Sequence, residues 1–412
     1  MKDGRKRSGW PVLYGLTALI AVRAHELPEY EQALCGWLGV ETEFPFLRAL
    51  LGALCVCVLL LYAVRWVRRD IHRSQPVIGC AAAMFAVLIV MTLIYRGASG
   101  YWLDWAAGFA LMLIFDMGLQ RERDGALNAL SLALLLWVCA NIPVRLLVPW
   151  GLNGPDPNPE FVPEWLIGNR AFYYRIAFPA LGLELVRSQA RSGRYTLRTA
   201  FVFAAVTATV AQQRGGTGLM GYAVLLAMTV FFARRALPRY AQPITMLAVS
   251  VLLFICLHYF KVQQRMGWLI EDVLEKDATL SFRTDAWTAS LQIIGKNPVT
   301  GVGLLPVAYK KELLGYSHTH NQVLELLLHG GALALLPYIG MTWLASRETL
   351  RHRQSAAVKN AALLLMTFLF MGTVEMFHND PLYYPLFVLA FRADCLAESE
   401  RPLPCVSLFR RG

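Results

Sequence analysis

Charge is scarce in this chain. Only 16% of its 412 residues are Asp, Glu, Lys or Arg, against about 25% in a soluble domain, which excludes an ordinary cytosolic protein. Signatures of familiar chemistry are scarce too. No DxD or DxDD cluster offers carboxylates to Mg2+, and no GxxxxGK[ST] loop is present, so ATP is not the energy source. HExxH is absent, and no G-x-S-x-G turn presents a nucleophilic serine. The eight cysteines include no CxxC pair and fall mostly inside apolar runs, so they read as buried side chains rather than metal ligands or a disulfide framework. The apolar runs also lack the periodic acidic residues of an ion-coupled transporter. A group-transfer enzyme built this way has no metal and no cofactor. It needs a donor that carries its own leaving group, and it supplies a base and a charge clamp.

Apolar sequence fills the space that charge leaves. The chain is 56% hydrophobic with a mean hydropathy of +0.44. A membrane span takes about 20 mostly apolar residues, and such runs recur at roughly 10–24, 46–66, 77–95, 102–119, 125–149, 171–188, 199–212, 217–233, 241–260, 322–345, 361–377 and 382–396. The expected fold is an all-α polytopic membrane protein of about twelve spans. Residues 1–412 read as one integral membrane domain, with no cleavable signal ahead of the run that begins at Trp10. The net charge of +11 does not indicate nucleic acid, because the basic residues are dispersed through short loops. They alternate from loop to loop. Lys2, Arg5, Lys6 and Arg7, the Arg65–Arg73 group, Arg121 and Arg123, the Arg187–Arg198 group, Arg234–Arg239 and Arg347–Lys359 fall on one side, and Glu26, Glu29, Glu31, Glu41 and Glu43 on the other. The positive-inside rule then expects both termini in the cytoplasm.

Two outer segments are long. One, near 150–169, is rich in Pro and Gly. The other, 261–319, is too long to be a mere connection. Within it, Trp287, Leu291 and Ile294 fall at helical spacing, and Asn297-Pro298 with Gly301 and Gly303 stops that helix. An amphipathic helix on the outer leaflet is the expectation.

The strongest chemical string closes this loop: Ser317-His318-Thr319-His320-Asn321, then Glu325 and Gly330-Gly331. A histidine such as His320 can take a proton from a hydroxyl. A helix beginning just after it favours neutral imidazole, the form a base needs. Asn321 and Glu325 stand where they can orient a ring or a substrate. His318 and His320, two apart at a helix entry, are expected to point in different directions. Arg214 lies in a glycine-rich turn, Gln212-Gln213-Arg214-Gly215-Gly216-Thr217-Gly218, and Arg283 opens the loop helix, with Asp285 or Asp277 as alternative ion-pair partners. A guanidinium binds phosphate oxygens as a fork, so two converging arginines suit a diphosphate. Arg265 and Tyr316 are weaker supporting candidates, and a lipid contact explains Arg265 equally well.

His320-Asn321, nine residues and then Gly331 resembles the His-[Asn/Ser/Gln]-x9-Gly motif of bacterial O-antigen ligases, whose superfamily also holds O-antigen polymerases and O-linked protein oligosaccharyltransferases. Arg283-x3-Trp287, followed by Pro298-x2-Gly301-x-Gly303, is similar to the stretch that precedes the histidine in that family. Arg214-Gly215 resembles its Ser-Arg-Gly turn, with Gln213 in place of serine, and Ala334 is a second departure. The resemblance covers about residues 205–345. It implies a GT-C-like, metal-independent, inverting glycosyltransferase of the inner membrane, its active site facing the periplasm. The donor would be a glycan on undecaprenyl diphosphate and the acceptor a sugar hydroxyl of lipid A–core, both reached from among membrane lipids. His320 would be the base, and Arg214 and Arg283 would hold the diphosphate. A polymerase would need a second lipid-diphosphate site. A flippase or transporter would share the spans and a cationic cavity but would not need the ordered histidine loop.

Overall fold

The computed structural model describes residues 46–67, 75–97, 101–152, 162–260, 283–315 and 317–397. The first expected span, 10–24, and the supporting candidates Arg265 and Tyr316 lie outside them. Among the described residues the chain is helical, with one isolated bridge, Trp165 to Gly168. Helices α1 (Phe46–Val67), α2 (Gln75–Ile94) and α3 (Trp102–Leu147) come first. Then follow α4 (Tyr174–Ser192), α5 (Leu197–Gln213), α6 (Gly216–Phe231) and α7 (Pro243–His258). The long outer loop contributes α8 (Arg283–Lys296) and α9 (Val307–Leu314). The chain ends on α10 (Gln322–Arg351), α11 (Ala356–Met371), α12 (Tyr383–Phe391) and the short α13 (Ala393–Ala397).

The apolar runs after the first are thus helical where hydropathy placed them. Among the described residues three stretches are long and apolar enough to cross a membrane, Pro76–Ile94, Trp102–Leu147 and Gln322–Arg351, and three shorter apolar helices accompany them, Gly216–Phe231, Pro243–His258 and Ala356–Met371. The runs 102–119 and 125–149 are the two halves of α3, which leaves helical geometry at Glu122, amid the charges Arg121 to Asp124. The run 361–377 is shorter than expected: α11 stops at Met371, and residues 372–382 form a buried turn before α12.

The core lies between α3, α4, α10, α11 and α12. Every side chain of α12 is buried, and so are nearly all those of α11 and α4. By contrast, α5, α6 and α7 expose Phe201, Phe203, Leu219, Val230, Leu252 and Ile255. Ion pairs lie inside the bundle. Asp116 accepts from Arg392 at 2.7 Å, and Glu184 accepts from Arg187 at 2.6 and 2.7 Å.

Helix α10 is broken at Gly331 (φ 58°, ψ −156°), and the break explains the motif glycines. Leu328 and His329 carbonyls accept from the Val302 and Gly303 amides at 2.8 and 3.0 Å. Ala332 and Leu333 amides donate to the Pro298 and Val299 carbonyls at 2.9 and 3.1 Å. The backbone groups orphaned by the break are therefore paired by the Pro298–Gly303 stretch, as buried amides require. A Cβ on Gly331 would collide with Val299, and one on Gly301 would meet the Leu328 carbonyl at 2.6 Å. Helix α8 departs from expectation. Its apolar face does not lie open to lipid, because Trp287 and Ile294 are buried against Leu314, Leu324 and Leu328.

Candidate active site

Asn321 caps α10, its Oδ1 accepting from the Leu324 amide at 2.9 Å. Its Nδ2 donates to the Thr373 carbonyl at 2.9 Å, the Gln322 amide donates to the Gly372 carbonyl at 2.9 Å, and Gln322 Oε1 accepts from the Phe377 amide. These bonds fix the histidine loop to the turn after α11. Asn321 is therefore a structural tie between two loops and does not orient a ring.

Thr319 is held from two further sides. The Trp287 indole donates to its carbonyl at 2.8 Å, and its amide donates to Glu325 Oε2 at 2.8 Å. The motif tryptophan thus positions the loop between the two histidines. His320 takes a left-handed backbone, φ 51°, a conformation that costs a non-glycine residue about 1–3 kcal/mol and persists only where the surroundings over-determine it.

The turn delivers Glu375. Its Oε1 lies 3.7 Å from His318 Nε2 and 3.7 Å from His320 Nδ1. The two rings are 3.9 Å apart at the centroids, so the expectation that they diverge is wrong: the left-handed residue between helix and loop turns both toward one carboxylate. His318 Nδ1 shares a hydrogen bond with Ser317 Oγ at 2.8 Å. Behind Glu375 stands Arg175, its Nη2 4.0 Å from Oε1 and donating to the Met376 carbonyl at 3.0 Å, with Phe172 under its guanidinium. Burial would raise the Glu375 carboxyl. Its contact with His320 and the charges of His320 and Arg175 outweigh burial and hold it below the usual carboxylate range. Burial, with His320 adding to it, pushes His318 down to about 4. At neutral pH the carboxylate is ionised and His318 is neutral.

Glu325, expected to orient a ring or a substrate, faces His329 and not His320. Its Oε1 faces Lys310 Nζ at 3.3 Å and His329 Nε2 at 3.6 Å. The His329 and His378 rings lie 5.5 Å apart, and Lys310, Glu325, His329 and His378 are all fully buried. This second cluster lies inward of the first.

The arginines divide. Arg283 begins α8 with a buried Nε that lacks a hydrogen-bond partner among the described residues, and its charge bears on the Tyr174 phenol, next to Arg175. Arg214 is the left-handed C-cap of α5. Its side chain is exposed, with Nε donating to the Ala211 carbonyl at 3.3 Å. No contact among the described residues joins it to the histidines; its turn packs against the segment before α4 instead, where a Cβ on Gly215 would strike the Arg170 carbonyl, and one on Gly218 the Tyr173 phenol.

Sequence reasoning missed Glu375, Arg175, Lys310, His329 and His378. One signal was there. Glu375 lies within the apolar run 361–377, with His378 and Asp380 just beyond its end, and an acidic residue within a membrane-spanning run is a functional hypothesis by default.

Residues 199–339 match the family model described as O-antigen ligase. No curated protein and no solved structure matches the chain.

Proposed function

We propose that this chain, whose residues 199–339 match the O-antigen ligase family model, transfers a glycan from undecaprenyl diphosphate to a sugar hydroxyl of lipid A–core. The transfer takes place at the periplasmic face of the inner membrane, without nucleotide or metal. The observation that carries this reading is the His318–His320–Glu375 convergence on a loop pinned by Trp287, Glu325 and the turn after α11.

Glu375 favours the His320 tautomer with the proton on Nδ1, which leaves the Nε2 lone pair to accept one. The acceptor hydroxyl oxygen attacks the anomeric carbon. As the new C–O bond forms, its proton passes to His320 Nε2, and the bond to the diphosphate breaks with its electron pair leaving on oxygen. Attack opposite the leaving group inverts the anomeric centre. Arg283, with its unpaired Nε, supplies a fork for the departing diphosphate, and Arg214 supplies charge at the neighbouring turn. Neutral His318 adds no second positive charge beside the base.

Purified protein mixed with undecaprenyl-diphosphate glycan and rough lipopolysaccharide, free of nucleotide and metal, is expected to yield laddered lipopolysaccharide. Lengthened lipid-linked glycan, with the lipopolysaccharide unmodified, would instead identify a polymerase. The orientation is checked with Lys276→Cys, which an impermeant thiol reagent is expected to label in intact spheroplasts. Labelling only after permeabilisation would reverse it.

A further inference from the structure

Two sets of three side chains in the described residues bring ligand atoms within 4.8 Å of one another: His318, His320 and Glu375, and Glu325, His329 and His378. Both have the composition of a three-ligand metal site, two imidazoles and a carboxylate. They differ in what already occupies the carboxylate. In the inner set, Lys310 sits 3.3 Å from the same Glu325 oxygen that faces His329, and every member is buried. A divalent ion there would meet an ammonium in a site with no exposed member. In the outer set the counter-charge stands farther off. Arg175 is 4.0 Å from Glu375 and donates from Nη2 to the Met376 carbonyl. Glu375 Oε1 accepts one amide, from Met376 at 3.1 Å, and so retains a lone pair. The histidine side chains are 12% and 24% exposed, enough for an ion to enter and to keep water as a further ligand.

The spacing points the same way. The two nitrogen-to-oxygen separations are 3.7 Å, longer than the roughly 2.7–3.2 Å of a hydrogen bond. Ligands at about 2.0–2.2 Å from a tetrahedral ion stand roughly 3.4 Å apart.

We propose that His318 Nε2, His320 Nδ1 and the Glu375 carboxylate bind a divalent transition cation of the zinc class, and that this ion switches transfer off. The inhibition follows from the ring's bookkeeping. A metal on His320 takes the Nδ1 lone pair, so the ring proton moves from Nδ1 to Nε2. The nitrogen that would accept the hydroxyl proton then already carries one. This second half rests on His320 being the base; the binding site itself does not.

The test uses the full-length, metal-stripped protein in detergent. Zn2+ titrated calorimetrically is expected to fill one strong site per chain. Co2+ in its place is expected to give the visible absorption of a four-coordinate ion. His318→Ala and Glu375→Gln are expected to weaken binding about 100-fold or more, and His352→Ala, at the far end of α10, to leave it unchanged. In the transfer assay, Zn2+ is expected to inhibit with the midpoint of the binding curve, and chelator to restore activity. Absence of a stoichiometric site, or a site that survives both variants, overturns the proposal. Tight binding without inhibition overturns the switch and leaves the ion site standing. A protein that binds zinc yet transfers no glycan after chelation speaks against the transferase reading alone.

Discussion

The molecule holds two carboxylate–histidine clusters of nearly the same make, and they are built for opposite ends. In each, one carboxylate oxygen faces imidazole nitrogen at 3.6–3.7 Å, and in each a cation stands by. Around Glu375 the cation is Arg175, 4.0 Å away, and the imidazoles reach solvent. Around Glu325 it is Lys310 at 3.3 Å, and both partners are fully buried. Residue type therefore does not decide which cluster does chemistry. Access and the closeness of the counter-charge do. The outer cluster can meet a substrate. The inner one neutralises itself and spends Glu325 Oε2 on the Thr319 amide, holding in place the loop that carries the outer one.

Removing the outer base gives the largest effect. His320→Ala is expected to lower transfer about 10²–10⁴-fold, the usual loss for a general base, with donor accumulating and normal protein levels. Mass spectrometry of protein held with donor alone is expected to show the unmodified mass, because a single-base inversion forms no glycosyl-enzyme. Wild-type turnover by His320→Ala would end the mechanism. Glu375→Gln removes the carboxylate charge that faces both imidazoles, so a loss smaller than that of His320→Ala is expected in the same assay.

The inner cluster responds in stability. Lys310→Met strands a buried carboxylate, which typically destabilises by about 3–5 kcal/mol, read as a lowered unfolding midpoint in detergent. The double variant Lys310→Met/Glu325→Gln is expected to recover most of that loss, since neither charge is then left alone. If the single variant unfolds at the parental midpoint, Lys310 and Glu325 are not an ion pair, and the contrast between the clusters collapses.

Between the arginines the difference should be graded. Arg283→Ala is expected to cost about 2–5 kcal/mol of transition-state binding, roughly 30-fold or more in rate, with lysine a poor substitute because it lacks the fork. Arg214→Ala is expected to cost less, because its exposed side chain reaches no member of the site. Equal losses measured for the two in a transfer assay would show that Arg214 engages the donor as closely.

What was legible in the sequence was local. Hydropathy located helices at the apolar runs, and Trp287 with Leu291 and Ile294 located α8, because these patterns follow the helical period itself. His320 and Arg283 stood out as titratable or charged groups at element boundaries. The partners were not legible. Glu375 meets His320 across 55 residues of chain, and Lys310 meets Glu325 through two helices that share no sequence period. Such pairings are set by how α10 and α11 are tied together through Asn321 and Gln322. Asn321 and Glu325 read as groups that could orient a ring or a substrate, whereas Asn321 ties two loops together and Glu325 faces Lys310, since spacing shows that a side chain is near a loop and not which atom it reaches.

The smallest expected effect tests how the outer cluster is held. Thr319 is gripped on its carbonyl by the Trp287 indole at 2.8 Å and on its amide by Glu325 at 2.8 Å. Trp287→Phe keeps most of the buried ring and removes only the indole N–H. One neutral hydrogen bond is worth about 0.5–1.5 kcal/mol net, so the unfolding midpoint is expected to fall by a few degrees at most. The rate is more telling. His320 holds a left-handed backbone that the grip on Thr319 enforces, and a loosened grip lets the ring leave Glu375 part of the time. A fall of about 3- to 10-fold in turnover is expected, with donor affinity unchanged, because the arginines remain in place. Turnover at the parental rate would mean that Glu325 and Asn321 hold the loop without help from Trp287. A matching loss of donor affinity would mean that Trp287 serves the clamp through Arg283, one helical turn away, and not the base.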